Sequence, residues 1–176
     1  MRVKDPISSF EYCPLCATEL TLVEHDQRSR KICPTCNFVD YHNPVPAAGA
    51  VVIENGKLLL VKRASEPYVG DWCIPAGFME WDESPQACAE RELKEETGLD
   101  IDAGRIFNVY SGTDDPRTNA LLILYFCEIK GGSPVAGDDA AEVGFFSIDE
   151  IPKNIAFLAH RQAIADLLES YPGLLK

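Results

Sequence analysis

The sequence GFMEWDESPQACAERELKEETGL, residues 77–99, decides the fold of the chain. Its second half predicts a helix with a defined beginning and end. Ser84 suits the N-cap, Pro85 suits the first helical position, and Gly98 suits the left-handed residue that follows a helix. We therefore expect a short acidic loop followed by one well-capped helix.

Three carboxylates share one face of this predicted helix. At about 100° per residue, Glu92, Glu95 and Glu96 fall within roughly one 100° arc. Like charges at such spacing repel one another, and Arg91 is the only cation adjoining the cluster. A divalent cation offsets the repulsion, and hard Mg²⁺ or Mn²⁺ suits oxygen ligands.

The alternative is an ordinary solvated helix, in which Glu90 and Lys94 form an i,i+4 pair. The spacing of the whole stretch favours a functional interpretation. Gly77, five residues, Glu83, seven residues, and then the run RELKEETGL at 91–99 resemble the Nudix box at every defined position. The chain is similar to Nudix hydrolases over this segment.

The resemblance implies a fold and a reaction. It implies an α/β (α+β) fold, the Nudix α/β/α sandwich with a mixed sheet. It also implies metal-dependent hydrolysis of the pyrophosphate bond of a nucleoside diphosphate linked to another moiety, with release of AMP. The alternatives are a house-cleaning nucleoside triphosphate pyrophosphatase, a non-catalytic nucleotide-sensing regulator, and a structural or interaction module.

By the same resemblance, three box glutamates carry the Mg²⁺ or Mn²⁺ ions: Glu92, Glu95 and Glu96. A backbone carbonyl at Ala76 is a further candidate ligand, because the glycine after it lets the backbone approach closely. We expect Arg91 to orient the cluster by pairing with Glu83 or Glu95.

The general base is predicted outside the box. Related enzymes use either a box glutamate or a glutamate on a later loop. The acidic segment 137–142 precedes a predicted strand, and Glu142 is our candidate. An ordinary acidic surface loop is the alternative interpretation.

The substrate is less closely defined by the sequence. Two CxxC pairs, Cys13/Cys16 and Cys33/Cys36, precede the box, and this order of a zinc ribbon and a Nudix domain resembles NADH, ADP-ribose and FAD pyrophosphatases. The SQPWPFP-like segment of NADH-specific members is replaced here by NVYSGT at 108–113, so we favour FAD and ADP-ribose. The candidate substrate-binding residues are Phe78, Glu80, Trp81 and Tyr110. The aromatic residues among these four are suited to stacking on adenine, although each of them is individually typical of a hydrophobic core.

Four cysteines predict a structural zinc site. Cys13 and Cys16 form one CxxC pair, Cys33 and Cys36 form another, and sixteen residues separate the pairs. This spacing is typical of a tetrahedral four-cysteine zinc site. A redox pair or two disulfides are the alternatives. The remaining cysteines, Cys73, Cys88 and Cys127, are interpreted as small core residues.

The predicted organisation is a zinc ribbon over residues 1–44 and a Nudix domain over 45–176, with the proline-containing segment 43–46 as connector. Apolar patterns predict strands at 20–23, 28–32, 47–53, 57–63, 105–111, 120–129 and 143–147. Asn55 and Gly56 predict a tight hairpin between two of these strands. A final amphipathic helix is expected at 158–170.

Composition restricts the partners. Among 176 residues, 46% are hydrophobic, which suffices for a core, and the net charge of −12 argues against nucleic-acid or anionic-membrane binding. Residues 1–13 lack the apolar segment of a secretory signal, so we expect a cytoplasmic enzyme that acts on a small nucleotide. A homodimer is expected by resemblance.

Overall fold

The computed structural model describes residues 10–175, which divide into two compact units at the boundary between Asn43 and Pro44. Most of the N-terminal segment in which we found no signal sequence therefore lies outside the described residues, as does residue 176. Within the described part, no helix is both long enough and apolar enough to cross a membrane.

The smaller unit is built around a three-stranded antiparallel sheet. Its strands are β1 (Thr21–His25), β2 (Arg28–Ile32) and β3 (Val39–Asp40). The strands predicted at 20–23 and 28–32 correspond to the hairpin of β1 and β2, and Asp26 and Gln27 form its turn with φ of 51° and 63°. Two positive φ values match the turn type that suits the twist of paired strands.

The larger unit contains a mixed sheet, as predicted. Its strands are β4 (Val45–Glu54), β5 (Lys57–Arg63), β6 (Trp72–Cys73), β7 (Ala76–Phe78), β8 (Leu99–Gly112), β9 (Ala120–Gly132) and β10 (Ala140–Phe146). The order is β10-β5-β4-β9-β8, while β6 pairs with β5 and β7 pairs with β4. Strands β4 and β9 are parallel and the other pairs are antiparallel.

Both predicted helices are present. Helix α1 spans Pro85–Thr97, with the Ser84 side chain accepting a hydrogen bond from Ala87 N and with Gly98 left-handed at φ 71°. Helix α2 spans Leu158–Ser170, within the predicted bounds. The turn expected before it contains a short 3₁₀ helix, Ile148–Glu150. Local capping signals therefore located α1 correctly.

The sheet lies between the two helices because β4 alternates its side chains between two cores. One core joins β4 to α1 and includes Ala48, Ala50, Val52, Cys88, Ala89 and Leu93. The other joins β4 to α2 and includes Ala47, Val51, Ala159, Ala163, Ile164 and Leu167. Successive strand residues point to opposite faces, so one strand serves both cores. The expected α/β/α sandwich is confirmed.

Several strand boundaries differ from the prediction, and three of these differences concern the site. Strand β8 begins at Leu99, directly after the box helix, rather than at Arg105. Its register with β9 shifts three times, which breaks the alternation by which a strand is recognised in sequence. Strand β10 begins at Ala140 and so includes Glu142, and β4 begins at Val45 within the predicted connector.

Candidate active site

Arg91, on α1, holds three box carboxylates. Its Nη2 and Nε donate to the two oxygens of Glu83 at 2.6 and 3.0 Å. Its Nη1 donates to Glu92 Oε1 at 2.7 Å and to Glu95 Oε2 at 3.0 Å, and its Nη2 donates to the Phe78 carbonyl at 3.2 Å. Arg91 thus pairs with both of the expected residues, Glu83 and Glu95, and also with Glu92.

Glu83 is a fixed anion that completes this arrangement. Besides its bidentate pair with Arg91, its Oε1 accepts a hydrogen bond from the backbone N of Glu80 at 2.8 Å. The hydrogen bonds from Arg91, opposed by partial burial, lower the pKa of Glu83 to about 2. Glu83 therefore stays charged at any ordinary pH and anchors the arginine from the loop before α1.

Gly77 admits the carboxylate of Glu92 directly against the backbone of β7. A Cβ at position 77 would lie 2.1 Å from Glu92 Cδ and 2.2 Å from both carboxylate oxygens, closer than any side chain can approach. Burial raises the pKa of Glu92, although Arg91 opposes that shift. The glycine of the box is thus required by the position of Glu92.

Glu96 is a buried carboxyl group that forms no ion pair within residues 10–175. Its exposure is 4%, and its Oε2 has no hydrogen-bond partner among the described residues. Burial, followed by the charges of Asp139 and Glu92, raises its pKa well above 4.5, and a hydrogen bond from the Ala76 backbone opposes that rise. A polar atom left unpaired in a protein interior is costly, so such a position points to a ligand.

Asp139 is an acidic residue of the site that our sequence reasoning missed. It precedes β10, its charge raises the pKa values of both Glu92 and Glu96, and it accepts a hydrogen bond from Ser65. Glu142, the candidate base, lies within β10, has 57% of its side chain exposed, and pairs with Lys62 at 2.8 Å. Our assignment of Glu142 stays a prediction.

A divalent cation fits the chemistry of this donor set. Glu92, Glu96 and Asp139 carry carboxylate oxygens, the donors that hard cations prefer, and Oε2 of Glu96 is buried without a hydrogen-bond partner among the described residues. Arg91 holds Glu92 and Glu95, and within residues 10–175 only the four cysteines, not the box glutamates, have ligand atoms within 4.8 Å of one another. The metal-binding roles of Glu92, Glu95, Glu96 and Ala76 stay predictions.

The candidate substrate-binding residues occupy different environments. Phe78 lies at the end of β7 and is partly exposed, while Trp81 is 99% exposed. Glu80 is exposed and uses its backbone N for Glu83. Tyr110 is 5% exposed within the α2-side core, where its hydroxyl donates to Asp166 at 2.9 Å. The structure therefore brings only Phe78 of these four to the cavity described next.

A cavity of about 90 Å³ lies beside the box, and β7 contributes to its wall. Residues distant in sequence contribute its polar and aromatic lining, namely Arg63, Phe78, Asp114, Asp115, Arg117, Phe157 and His160. Except for Phe78, sequence reasoning missed them, because no local motif connects them. A histidine on the buried face of α2 was the one available signal.

The four cysteines predicted to bind zinc lie together in the smaller unit. Sulfur–sulfur distances are 3.5 Å for Cys13–Cys36, 3.4 Å for Cys16–Cys33 and 3.6 Å for Cys16–Cys36. A tetrahedral zinc ion with bonds of about 2.3 Å requires sulfurs about 3.8 Å apart. The cluster therefore fits a zinc ion.

Comparison with known proteins indicates one family. Residues 43–167 match the sequence model of the NUDIX domain. The chain is 37% identical over 129 residues to a Methanocaldococcus jannaschii protein named ADP-ribose pyrophosphatase, covering 73% of this chain and 75% of that protein.

A second relative and a solved structure agree with this match. The chain is 33% identical over 146 residues to the NAD-capped RNA hydrolase NudC of Chromobacterium violaceum, covering 82% of this chain but 52% of that protein. The crystal structure of a NUDIX hydrolase from Nitrosomonas europaea superposes with a TM-score of 0.80 at 32% identity, covering 93% of each chain.

Glu96→Gln is expected to remove part of the pH dependence of stability in protein free of Mg²⁺. Because the pKa of Glu96 is raised above 4.5 on folding, the folded state binds more protons than the unfolded state above that pH. The free energy of unfolding therefore falls as pH rises from 4.5 towards the folded-state pKa. Glutamine does not titrate, so the variant should lose this decline. Urea unfolding between about pH 4.5 and 8, after dialysis against buffer without divalent cations, measures it.

The matched control is Glu95→Gln, on the same helix but half exposed. That variant should retain the decline seen in the unmodified protein. If Glu96→Gln retains the full decline as well, Glu96 is not the buried acid that we describe.

Cys33→Ser is expected to remove roughly one zinc ion per chain and to expose the smaller unit to protease. Structural zinc contributes about 10–16 kcal/mol in small zinc-binding peptides, far more than the small apolar cluster there can supply. Metal content by plasma emission spectrometry and limited proteolysis give the readouts. Cys127→Ser, in β9, is the control and should retain zinc; a full zinc content in Cys33→Ser would refute the site.

Proposed function

The chain belongs to the Nudix family and is a pyrophosphohydrolase of that family; from this premise we propose that it hydrolyses ADP-ribose or a closely related ADP-containing nucleotide in the presence of Mg²⁺ or Mn²⁺. With ADP-ribose, water attacks one phosphorus and the P–O–P bridge breaks. The products are AMP and ribose 5-phosphate.

The single observation that carries the proposal is the shortage of cations around the box carboxylates. Glu96 is buried, its Oε2 has no hydrogen-bond partner in the described part of the chain, and Asp139 and Glu92 both raise its pKa. A protein gains nothing in stability from such crowding. A site for a bound cation explains it, and a diphosphate is a partner that such a cation bridges to an acidic protein.

In this proposal, individual residues of the chain have separate roles. Glu92, Glu95 and Glu96 would hold a divalent cation, which would neutralise phosphate oxygens and lower the pKa of a ligated water. Arg91 fixes Glu92 and Glu95 in position, and Gly77 leaves room for the Glu92 carboxylate beside the backbone of β7. Asp139, close to Glu92 and Glu96, joins Glu142 as a candidate for accepting the proton of the attacking water.

The choice of ADP-ribose rests on the relative named ADP-ribose pyrophosphatase. The match covers three quarters of the length of that relative. The NudC relative supports the same class of bond, a diphosphate joined to adenosine, but the chain spans only about half of that protein. We therefore place ADP-ribose ahead of FAD and NADH.

A substrate panel tests the proposal. The purified protein is incubated with ADP-ribose, FAD, NADH and 8-oxo-dGTP, each with Mg²⁺ or Mn²⁺, and released AMP and pyrophosphate are quantified. We expect AMP from ADP-ribose, and a fall in kcat of at least about 10²-fold in Glu96→Gln. Asp139→Asn and Glu142→Gln, assayed alongside, rank the two candidate bases.

Two outcomes would contradict the proposal. Pyrophosphate from 8-oxo-dGTP with no AMP from the dinucleotides would indicate a house-cleaning triphosphatase. Binding of ADP-ribose without release of AMP under any metal condition would indicate a nucleotide-sensing regulator.

Gly77→Ala is expected to lower kcat for the best substrate by about 10²-fold while the fold is retained. The new Cβ must displace the Glu92 carboxylate, and a shift of about 1 Å in a catalytic group costs roughly that factor. Steady-state kinetics and far-ultraviolet circular dichroism measure the two effects.

Gly173→Ala is the matched control, because a Cβ there meets no heavy atom within 4 Å. Its kcat should equal that of the unmodified protein. Full activity in Gly77→Ala would show that the position of Glu92 is unimportant for turnover.

A further inference from the structure

Asp139, the acid of the site that sequence reasoning missed, lies on a short segment that contacts two elements. On one side, Gly137 N donates to the Glu96 carbonyl at 3.1 Å, so the segment lies against the end of α1. A Cβ at Gly137 would lie only 2.6 Å from the Glu95 carbonyl oxygen. On the other side, Ala64 N donates to the Asp139 carbonyl at 2.7 Å, directly after β5. The backbone of Asp139 is therefore fixed between the box helix and the loop that follows β5.

Ser65 holds the side chain of Asp139. The Ser65 hydroxyl donates to Asp139 Oδ2 at 3.1 Å, and within residues 10–175 the other carboxylate oxygen, Oδ1, has no hydrogen bond. Asp139 is half-buried and Ser65 is exposed. The hydrogen bond thus fixes the carboxylate through one oxygen and leaves the second oxygen available to a ligand.

The loop that carries Ser65 is closed by its own hydrogen bonds. Arg63 N donates to the Asp71 carbonyl at 2.9 Å, which joins the two ends of the loop. The Arg63 side chain donates to the Pro67 carbonyl at 2.7 Å and to the Ser65 carbonyl at 3.4 Å. Because the backbone of Ser65 is held in this way, its hydroxyl has a defined position from which to bind Asp139.

Asp139 needs such a donor because the neighbouring box carboxylates repel it. Its charge raises the pKa of both Glu92 and Glu96, so the three carboxylates lie close enough to interact. Repulsion between like charges favours rotation of the Asp139 side chain away from the box. The Ser65 hydroxyl opposes that rotation by binding one oxygen of the carboxylate.

A neutral donor has an advantage over a cation at this position. Glu142, further along the same part of the chain, pairs with Lys62 at 2.8 Å, and the ammonium group offsets its charge. Ser65 binds Asp139 without offsetting its charge. The Asp139 carboxylate therefore keeps the negative charge that attracts a hard divalent cation.

We propose that Ser65 is a positioning residue, which holds the Asp139 carboxylate beside the box so that it takes part in binding a divalent cation. The inference rests on the proposed function, because it gives Ser65 a role in the cation binding that this function requires. Replacement of a residue that orients a metal-binding group typically lowers metal affinity or activity by about 10–100-fold.

Titration calorimetry with Mn²⁺ tests the proposal without hydrolysis. The protein is first dialysed against a buffer without divalent cations, and no nucleotide is added. Ser65→Ala should weaken Mn²⁺ binding about tenfold, and Ser65→Thr, which keeps the hydroxyl, should restore the affinity to within about threefold. Asp139→Asn should weaken binding by at least as much as Ser65→Ala. In the Asp139→Asn background, Ser65→Ala should have little further effect, because Ser65 acts through Asp139.

Ser147→Ala is the matched control. The Ser147 hydroxyl donates to Glu150 Oε2 at 2.7 Å, a hydrogen bond of the same kind outside the box. The Mn²⁺ affinity of this variant should equal that of the unmodified protein. Far-ultraviolet circular dichroism of every variant checks that the fold is retained.

Kinetics with ADP-ribose supply a second readout. At limiting Mn²⁺, Ser65→Ala should lower the rate about tenfold, and saturating Mn²⁺ should restore most of the rate. A role of Ser65 only in the stability of its loop predicts instead a loss that Mn²⁺ does not restore. It also predicts effects of Ser65→Ala and Asp139→Asn that add to one another.

The outcomes separate this inference from the proposed function. No Mn²⁺ binding to the unmodified protein, an unchanged affinity in Ser65→Ala, no recovery in Ser65→Thr, or additive effects of the two replacements each overturns the role of Ser65, even if ADP-ribose is hydrolysed. Mn²⁺ binding that depends on Ser65 through Asp139, in a protein that hydrolyses none of the panel, supports the role of Ser65 and refutes the proposed activity.

Discussion

Arg91 binds Glu83, Glu92 and Glu95 through one guanidinium group, whereas Glu96 has no ion pair within residues 10–175. One cation thus pairs with three carboxylates, and a fourth carboxyl group, which is buried, is not among them. Charged carboxylates are costly to bury without partners, and burial accordingly raises the pKa of Glu96 well above 4.5. The larger unit therefore has more carboxylates than cations around the box, and a divalent cation is suited to balance them. The positions of Glu92 and Gly77 belong to the same cluster.

The backbone supports this cluster through two close approaches. A Cβ at Gly49 of β4 would lie 2.5 Å from Ala76 Cβ and 2.6 Å from the Pro75 carbonyl, so β7 packs tightly against β4. Gly77, next along β7, then admits Glu92 from α1. Since β4 also packs on α2 through Ala47 and Val51, the same strand places the carboxylates and the cavity on adjoining parts of one sheet.

Features set by a few neighbouring residues could be predicted from the sequence, and features set by register could not. The caps of α1, the Asn55-Gly56 hairpin and the clustering of the cysteines follow from local chemistry. In contrast, the register of β10 against β5 shifts between Ala140 and Glu142, so alternation could not tell which acid of the loop approaches the box. Arg63 and His160 lie on β5 and α2, far apart in sequence, and meet only through the topology of the sheet.

The two candidate metal sites differ in what holds their ligands. In the cysteine cluster the backbone positions the thiols: Ala17 N donates to the Cys13 carbonyl at 2.9 Å, and Asn37 N donates to the Cys33 carbonyl at 3.0 Å. Ala17 and Asn37 share a left-handed conformation, with φ of 57° and 60°, so both turns present their sulfurs in the same way.

Of the box carboxylates, in contrast, Glu92 and Glu95 are held by the side chain of Arg91 while Glu96 is not, and within residues 10–175 these carboxylates are not drawn together to a single point. Ligands fixed by backbone turns belong to the fold of their unit, which suits a permanent structural ion. A cation would have to compete with Arg91 for Glu92 and Glu95. We propose that such a site suits an ion that binds together with a diphosphate and leaves with the products. Under the proposed function, backbone geometry would position the ligands of a structural metal, and competition with Arg91 would govern the ligands of a metal that takes part in turnover.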